Sequence, residues 1–85
     1  MPHIVVERTF DAPLTDADIQ AAIARLTPCA KIYNVTWVRS FLSPDKRRMI
    51  CEYEAADAES VRTVQREAST PFDNAWTAEL IEPGA

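Results

Sequence analysis

The sequence is short of the residues on which most enzymes and metal sites depend. Among 85 residues there is one glycine, Gly84, and one histidine, His3. A lone glycine near the C-terminus excludes glycine-rich phosphate loops and dinucleotide-binding turns, which need several residues that let backbone N–H groups approach a phosphate. Cys29 and Cys51 form no CxxC pair, which excludes a zinc knuckle or a dithiol redox motif. A nucleophilic cysteine needs a neighbouring base, and His3 lies near the other end of the chain. Both thiols are therefore read as free, as in a reducing compartment. No apolar run approaches the roughly 20 residues of a membrane span. Met1-Pro2-His3-Ile4 lacks the basic and apolar regions of a signal peptide. The expected location is cytoplasmic, with no membrane partner. Basic character is also lacking, since the formal net charge is −4. The one basic cluster, Lys46-Arg47-Arg48, lies beside a turn and reads as a solvated strand start. Nucleic acid is not an expected partner.

What the chain does have is apolar residues, 47% of the total, enough for one small globular domain over residues 1–85. His3 to Phe10 reads as a strand, with Ile4 and Val6 alternating with His3, Val5 and Glu7. Thr15 is an N-cap with Asp18 three residues on, and Ile19, Ala22, Ile23 and Leu26 follow at helical spacing. Thr27-Pro28 is expected to end that helix, because the residue before proline avoids helical backbone angles. Lys31 to Leu42 reads as a long strand, Ser43-Pro44-Asp45-Lys46 as a turn, and Arg47 to Ala55 as the partner strand. Asp57 caps a second helix with a buried stripe of Val61, Val64 and Ala68. Asn74 to Glu82 reads as a last strand, before a frayed tail through Ala85.

That order is βαββαβ, an α+β ferredoxin-like sandwich with a four-stranded antiparallel sheet in order 4-1-3-2. Right-handed crossovers place both helices on one face. The first and third strands are expected to be central, and to run parallel. The other face is left open. The hairpin register places Thr36, Val38 and Ser40 with Tyr53, Cys51 and Met49 under the helices. It places Trp37, Arg39 and Phe41 opposite Glu52, Ile50 and Arg48 on the open face, together with Tyr33 and Val35. Large apolar groups mixed with arginine are the usual makeup of an interface centre. The expectation is a homodimer packed sheet to sheet; the plainer alternative is a monomer with scattered surface apolar groups.

Glu7, Trp37, Arg39, Glu52, Tyr53 and Gln65 are the candidate ligand or interface residues, and no residue is assigned a catalytic role. His3, Glu7, Glu52 and Glu54 are weak candidates for holding a metal such as nickel or zinc. His3 and Glu7 are four apart on one strand, roughly 13 Å, so one ion cannot take both. Glu7 is expected instead to pair with Arg39 or Arg48.

Val6-Glu7-Arg8-Thr9-Phe10, Val35-Thr36-Trp37-Val38-Arg39-Ser40-Phe41 and Cys51-Glu52-Tyr53-Glu54-Ala55-Ala56-Asp57-Ala58-Glu59-Ser60-Val61-Arg62 resemble a small ferredoxin-like family of unknown function that includes a nickel-binding protein. The resemblance covers nearly the whole chain and implies a ferredoxin-like dimer. Nickel-binding members carry histidines near the end of the first strand, in the first helix and as a pair four apart in the second. Here Glu7-Arg8 stands at the strand position, the first helix has no histidine, and Gln65 and Ser69 replace the pair. The chain resembles a branch without the nickel site, because amide and hydroxyl groups are poor ligands for such a metal.

Three functions are weighed on this basis. The first is a non-enzymatic dimeric module that binds a small molecule or a partner and has no cofactor. The second is a nickel-type metal-binding protein. The third is a cofactor-free isomerase or monooxygenase-like enzyme, using Tyr53, Cys51, Gln65 or Glu7 in a cavity between sheet and helices. RNA-recognition motifs share the topology, but the third strand here lacks their glycines and contains Glu52. Copper-chaperone domains carry CxxC after the first strand, where this chain has Thr9-Phe10-Asp11-Ala12.

Overall fold

A computed structural model describes residues 1–84; of the expected tail, Ala85 lies outside the described residues. The elements are β1 (His3–Thr9), α1 (Asp16–Ile32), β2 (Thr36–Leu42), β3 (Arg48–Glu54), α2 (Ala58–Glu67) and β4 (Asn74–Ala78). They form the ferredoxin-like βαββαβ fold, with sheet order β2-β3-β1-β4. β1 and β3 are central but antiparallel, not parallel as expected. Each crossover makes β1 parallel to β2 and β3 parallel to β4. The β2–β3 hairpin reverses direction, so β3 must oppose β1 as well.

Strand alternation sorts β1 cleanly. Ile4, Val6 and Arg8 are buried under the helices, whereas His3, Val5 and Glu7 lie on the open face. The core joins Ile4 and Val6 to Cys51, Tyr53, Val61, Val64 and Ala75. α2 presents Val61, Val64 and Gln65 to it, and Ser69 ends the α2 connection in the left-handed region at φ 56°.

The start of α1 follows its sequence signal. Thr15 Oγ1 accepts from the Asp18 N–H at 3.1 Å, and Asp18 Oδ2 accepts from the Thr15 N–H at 3.0 Å. The Thr15 amide, and then its hydroxyl, hold the Asp18 carboxyl below its ordinary value. The cap therefore contributes fully above the unfolded carboxylate range and fades as pH falls through the lower folded value. Asp18→Asn is expected to lower stability at neutral pH and to converge with wild type in acid, measured by urea denaturation at both.

The end of α1 does not follow the expectation. The helix runs through Pro28 to Ile32, taking Lys31 and Ile32 from the expected long strand. Leu26, Cys29, Ala30 and Tyr33 pack on the core at helical spacing and carry the helix past the proline. Pro28 and Ala24, the residue whose carbonyl it leaves without a helical donor, are both exposed, so that carbonyl can meet water. Asn34, at φ 55°, then turns the chain into β2.

β4 is shorter than expected: it ends at Ala78, which faces His3, the first residue of β1, and Pro2 before it has no N–H to extend the ladder. Leu80 and Ile81 follow it, exposed and outside the sheet. The expected turn at Ser43–Lys46 is present, with the Lys46 N–H donating to the Ser43 carbonyl at 2.8 Å. The hairpin register differs: Arg39, Ser40, Phe41 and Leu42 face Glu52, Cys51, Ile50 and Met49. A bulge between Trp37 and Arg39 shifts it by one residue, so Trp37 faces Tyr53.

Candidate functional site

The bulge moves one candidate from one face of the sheet to the other. Trp37 was expected on the open face; it lies instead on the helix side, where it lines a cavity, and its indole N–H donates to Ser40 Oγ at 2.9 Å. Val35 is likewise in the core, and Tyr33 caps α1 with its hydroxyl donating to Glu67 Oε1 at 2.8 Å. Of that expected aromatic set only Phe41 remains on the open face.

The cavity lies between α1 and the sheet and measures about 750 Å³, within the usual range for small-molecule sites. Its walls are mostly apolar, with Leu14, Ile19, Ile23 and Leu26 on one side and Trp37 and Met49 on the other. It exists because no residue of α1 is fully buried, so the first turns of the helix stand off the sheet. Tyr53 and Cys51 line it from β3.

One wall carries a buried charge. Arg8 is 6% exposed, and arginine is almost never so buried without an acidic partner. Its Nη2 donates to Gln65 Oε1 at 3.0 Å, with Tyr53 Oη at 3.4 Å and Cys51 Sγ at 3.5 Å, and its Nη1 donates to the Pro71 carbonyl at 3.2 Å. No carboxylate pairs with it among the described residues. Burial pushes the Tyr53 phenol above its ordinary value, Cys51 adding to the push and Arg8 opposing it. Tyr53 therefore stays a neutral hydroxyl at physiological pH and supplies no counter-charge. Gln65 is fully buried behind Arg8, its Oε1 also accepting from Thr70 Oγ1 at 2.8 Å, while its Nε2 has no acceptor. The sequence reading singled out Gln65 and Tyr53 but gave Arg8 no role. Its signal was present, since Arg8 is in phase with Ile4 and Val6 on a strand whose inner face is apolar.

The open face holds the remaining candidates. Glu52 is at its centre, with Oε2 3.1 Å from His3 Nε2 and Oε1 3.3 Å from Arg39 Nε. The Arg39 contact has ion-pair distance but not hydrogen-bond alignment, so Glu52 Oε1 is buried without a hydrogen bond. Glu7 pairs with neither Arg39 nor Arg48; its Oε2 accepts from the Trp76 indole N–H at 2.8 Å. Glu7 sits across from Ile50 and Asn74, and Glu54 is exposed across from His3. The four metal candidates thus do not converge. Among the described residues no three His, Cys, Asp or Glu side chains gather to hold an ion. His3 with Glu52 offers one imidazole and one carboxylate, a set that does not fit nickel, which favours several nitrogen or sulfur ligands.

A family model described as nickel responsive protein SCO4226-like matches residues 5–77. The chain belongs to that family. Among solved structures it is similar to SCO4226 from Streptomyces coelicolor A3(2), with a TM-score of 0.83 and 20% identity, over 94% of this chain and 99% of that one. At that identity the likeness establishes a shared fold. No curated protein sequence matches the chain. No helix is long and apolar enough to cross a membrane among the described residues.

Proposed function

We propose that this member of the SCO4226-like family is a non-enzymatic, dimeric, cytoplasmic module that holds a small, largely apolar molecule in the cavity beneath α1. The observation that carries the reading is the cavity itself, mostly apolar, about 750 Å³ in volume, with a buried polar cluster on one wall. A few polar groups in a mostly apolar cleft are the usual composition of a binding pocket. An isomerase or monooxygenase reading has less support, because the cluster of Arg8, Gln65 and neutral Tyr53 offers no general base. A nickel reading rests on the family's description alone, and the residues above do not fit it.

The dimer rests on the open face, where Phe41, Ile50 and Trp76 are 58%, 37% and 46% exposed. Arg39, beside Glu52 and with its side chain 63% exposed, adds a charged group that a second sheet can meet. Native mass spectrometry of untagged protein tests both parts. The expected spectrum is a dimer, with a fraction carrying the mass of an organic ligand. Phe41→Glu is expected to leave a monomer at micromolar concentration, since it puts a charge at the apolar centre of the contact. A wild-type monomer at that concentration sinks the dimer, and failure of every apolar probe to bind sinks the cavity reading.

A further inference from the structure

We propose that the ligand is a singly charged amphiphilic carboxylate, its acid group on Arg8 and its apolar body along α1. This rests on the cavity reading and adds the chemistry of the headgroup. An isolated buried charge is costly, and a buried guanidinium ordinarily meets a carboxylate. Arg8 meets none among the described residues, only a carbonyl, a carboxamide, a phenol and a thiol.

The guanidinium has five N–H donors. Nη1 serves Pro71 and Nη2 serves the Gln65 cluster, while Nε makes no hydrogen bond among the described residues. Arg8, Cys51, Tyr53 and Pro71 all line the cavity, which places this donor surplus at its wall. Gln65 acts as a positioning residue. Both Arg8 and Thr70 donate to its oxygen, which fixes the carboxamide orientation and anchors the guanidinium from behind.

Charge count selects the headgroup. One buried guanidinium balances one carboxylate, which can accept a charge-assisted hydrogen bond from the free Nε–H. A phosphate monoester carries nearly two charges at neutral pH, one more than Arg8 balances; the other charged lining residues, Asp18, Arg25 and Lys31, are exposed on α1 rather than buried. The walls select the remainder, since Leu14, Ile19, Ile23 and Leu26 offer only apolar contact.

Calorimetric titration with dodecanoate, dodecanol and dodecyl phosphate tests this on the wild-type chain. Dodecanoate is expected to bind about tenfold or more tightly than dodecanol, and more tightly than dodecyl phosphate. Arg8→Met is expected to bring the acid and alcohol affinities together. Equal affinities for acid and alcohol in the wild type overturn the headgroup assignment and leave the cavity reading standing. Tighter binding of the phosphate overturns the carboxylate. No binding of any of the three overturns the cavity reading itself. The wild-type comparison decides the headgroup even if Arg8→Met does not fold.

Discussion

Replacing Gln65 by glutamate is expected to stabilise the unliganded protein by about 2 kcal/mol and to narrow the preference for an acid over an alcohol. The substitution is nearly isosteric. Both groups that meet Gln65 Oε1, the Arg8 guanidinium and the Thr70 hydroxyl, are donors, so a carboxylate oxygen fits there. The Nε2 that lacks an acceptor becomes an oxygen, which exchanges an unsatisfied buried donor for an acceptor. Above all, the buried cation gains a counter-ion inside the fold. Burial opposes ionisation of the new carboxyl, but a guanidinium near 3 Å away outweighs it and lowers the pKa. The added stability is then complete above the ordinary glutamate value, about 4.3, and is lost as pH falls through the lower folded value. Thermal melts are expected to rise by roughly 10 °C at pH 7 and to converge with wild type in acid. A melt at pH 7 at or below wild type means that Arg8 is not short of negative charge. Such a result removes the ground for an acidic ligand.

Ile4→Ala is expected to cost about 3 kcal/mol, against under about 1 kcal/mol for Ile50→Ala in the separated protomer. Ile4 has no exposed surface and meets Val6, Val61 and Val64 in the core. Removing its outer carbons leaves a void that strand and helix cannot close. The total stability of a chain this size is on the order of 4–13 kcal/mol, so the loss moves the melting point by roughly 15–20 °C. Ile50 is on the opposite face of the same sheet and is 37% exposed. In the proposed dimer its truncation acts through the contact between sheets, and its cost is then expected to grow with protein concentration. Urea denaturation at two concentrations measures both. Equal costs at the lower concentration would mean that the two faces are not packed as described.

How far the chain could be read beforehand follows from the range of each interaction. The Thr15–Asp18 cap, the Asp57 cap and the turn at Ser43–Lys46 are made by residues within five positions of each other, and all are present as read. The stop at Pro28 was also read locally, and there contacts with the core outweighed the local preference. The extent of β4 depended on a partner strand that ends at His3. Trp37 was placed on the wrong face because an ideal hairpin alternates without interruption, and one bulge at its far end reverses every side chain beyond it.

Periodicity, capping and element order were enough to determine the ferredoxin-like fold and the alternation that sets Ile4 and Val6 apart from His3, Val5 and Glu7. Family membership, too, is carried by the order of residues. Tertiary structure alone decided that Arg8 has no acidic partner and that α1 stands away from the sheet. The partners of Arg8 lie 43 to 63 residues along the chain. Whether a buried charge is balanced depends on which side chains those distant segments bring to it, and no local pattern encodes the carboxylate that fails to arrive.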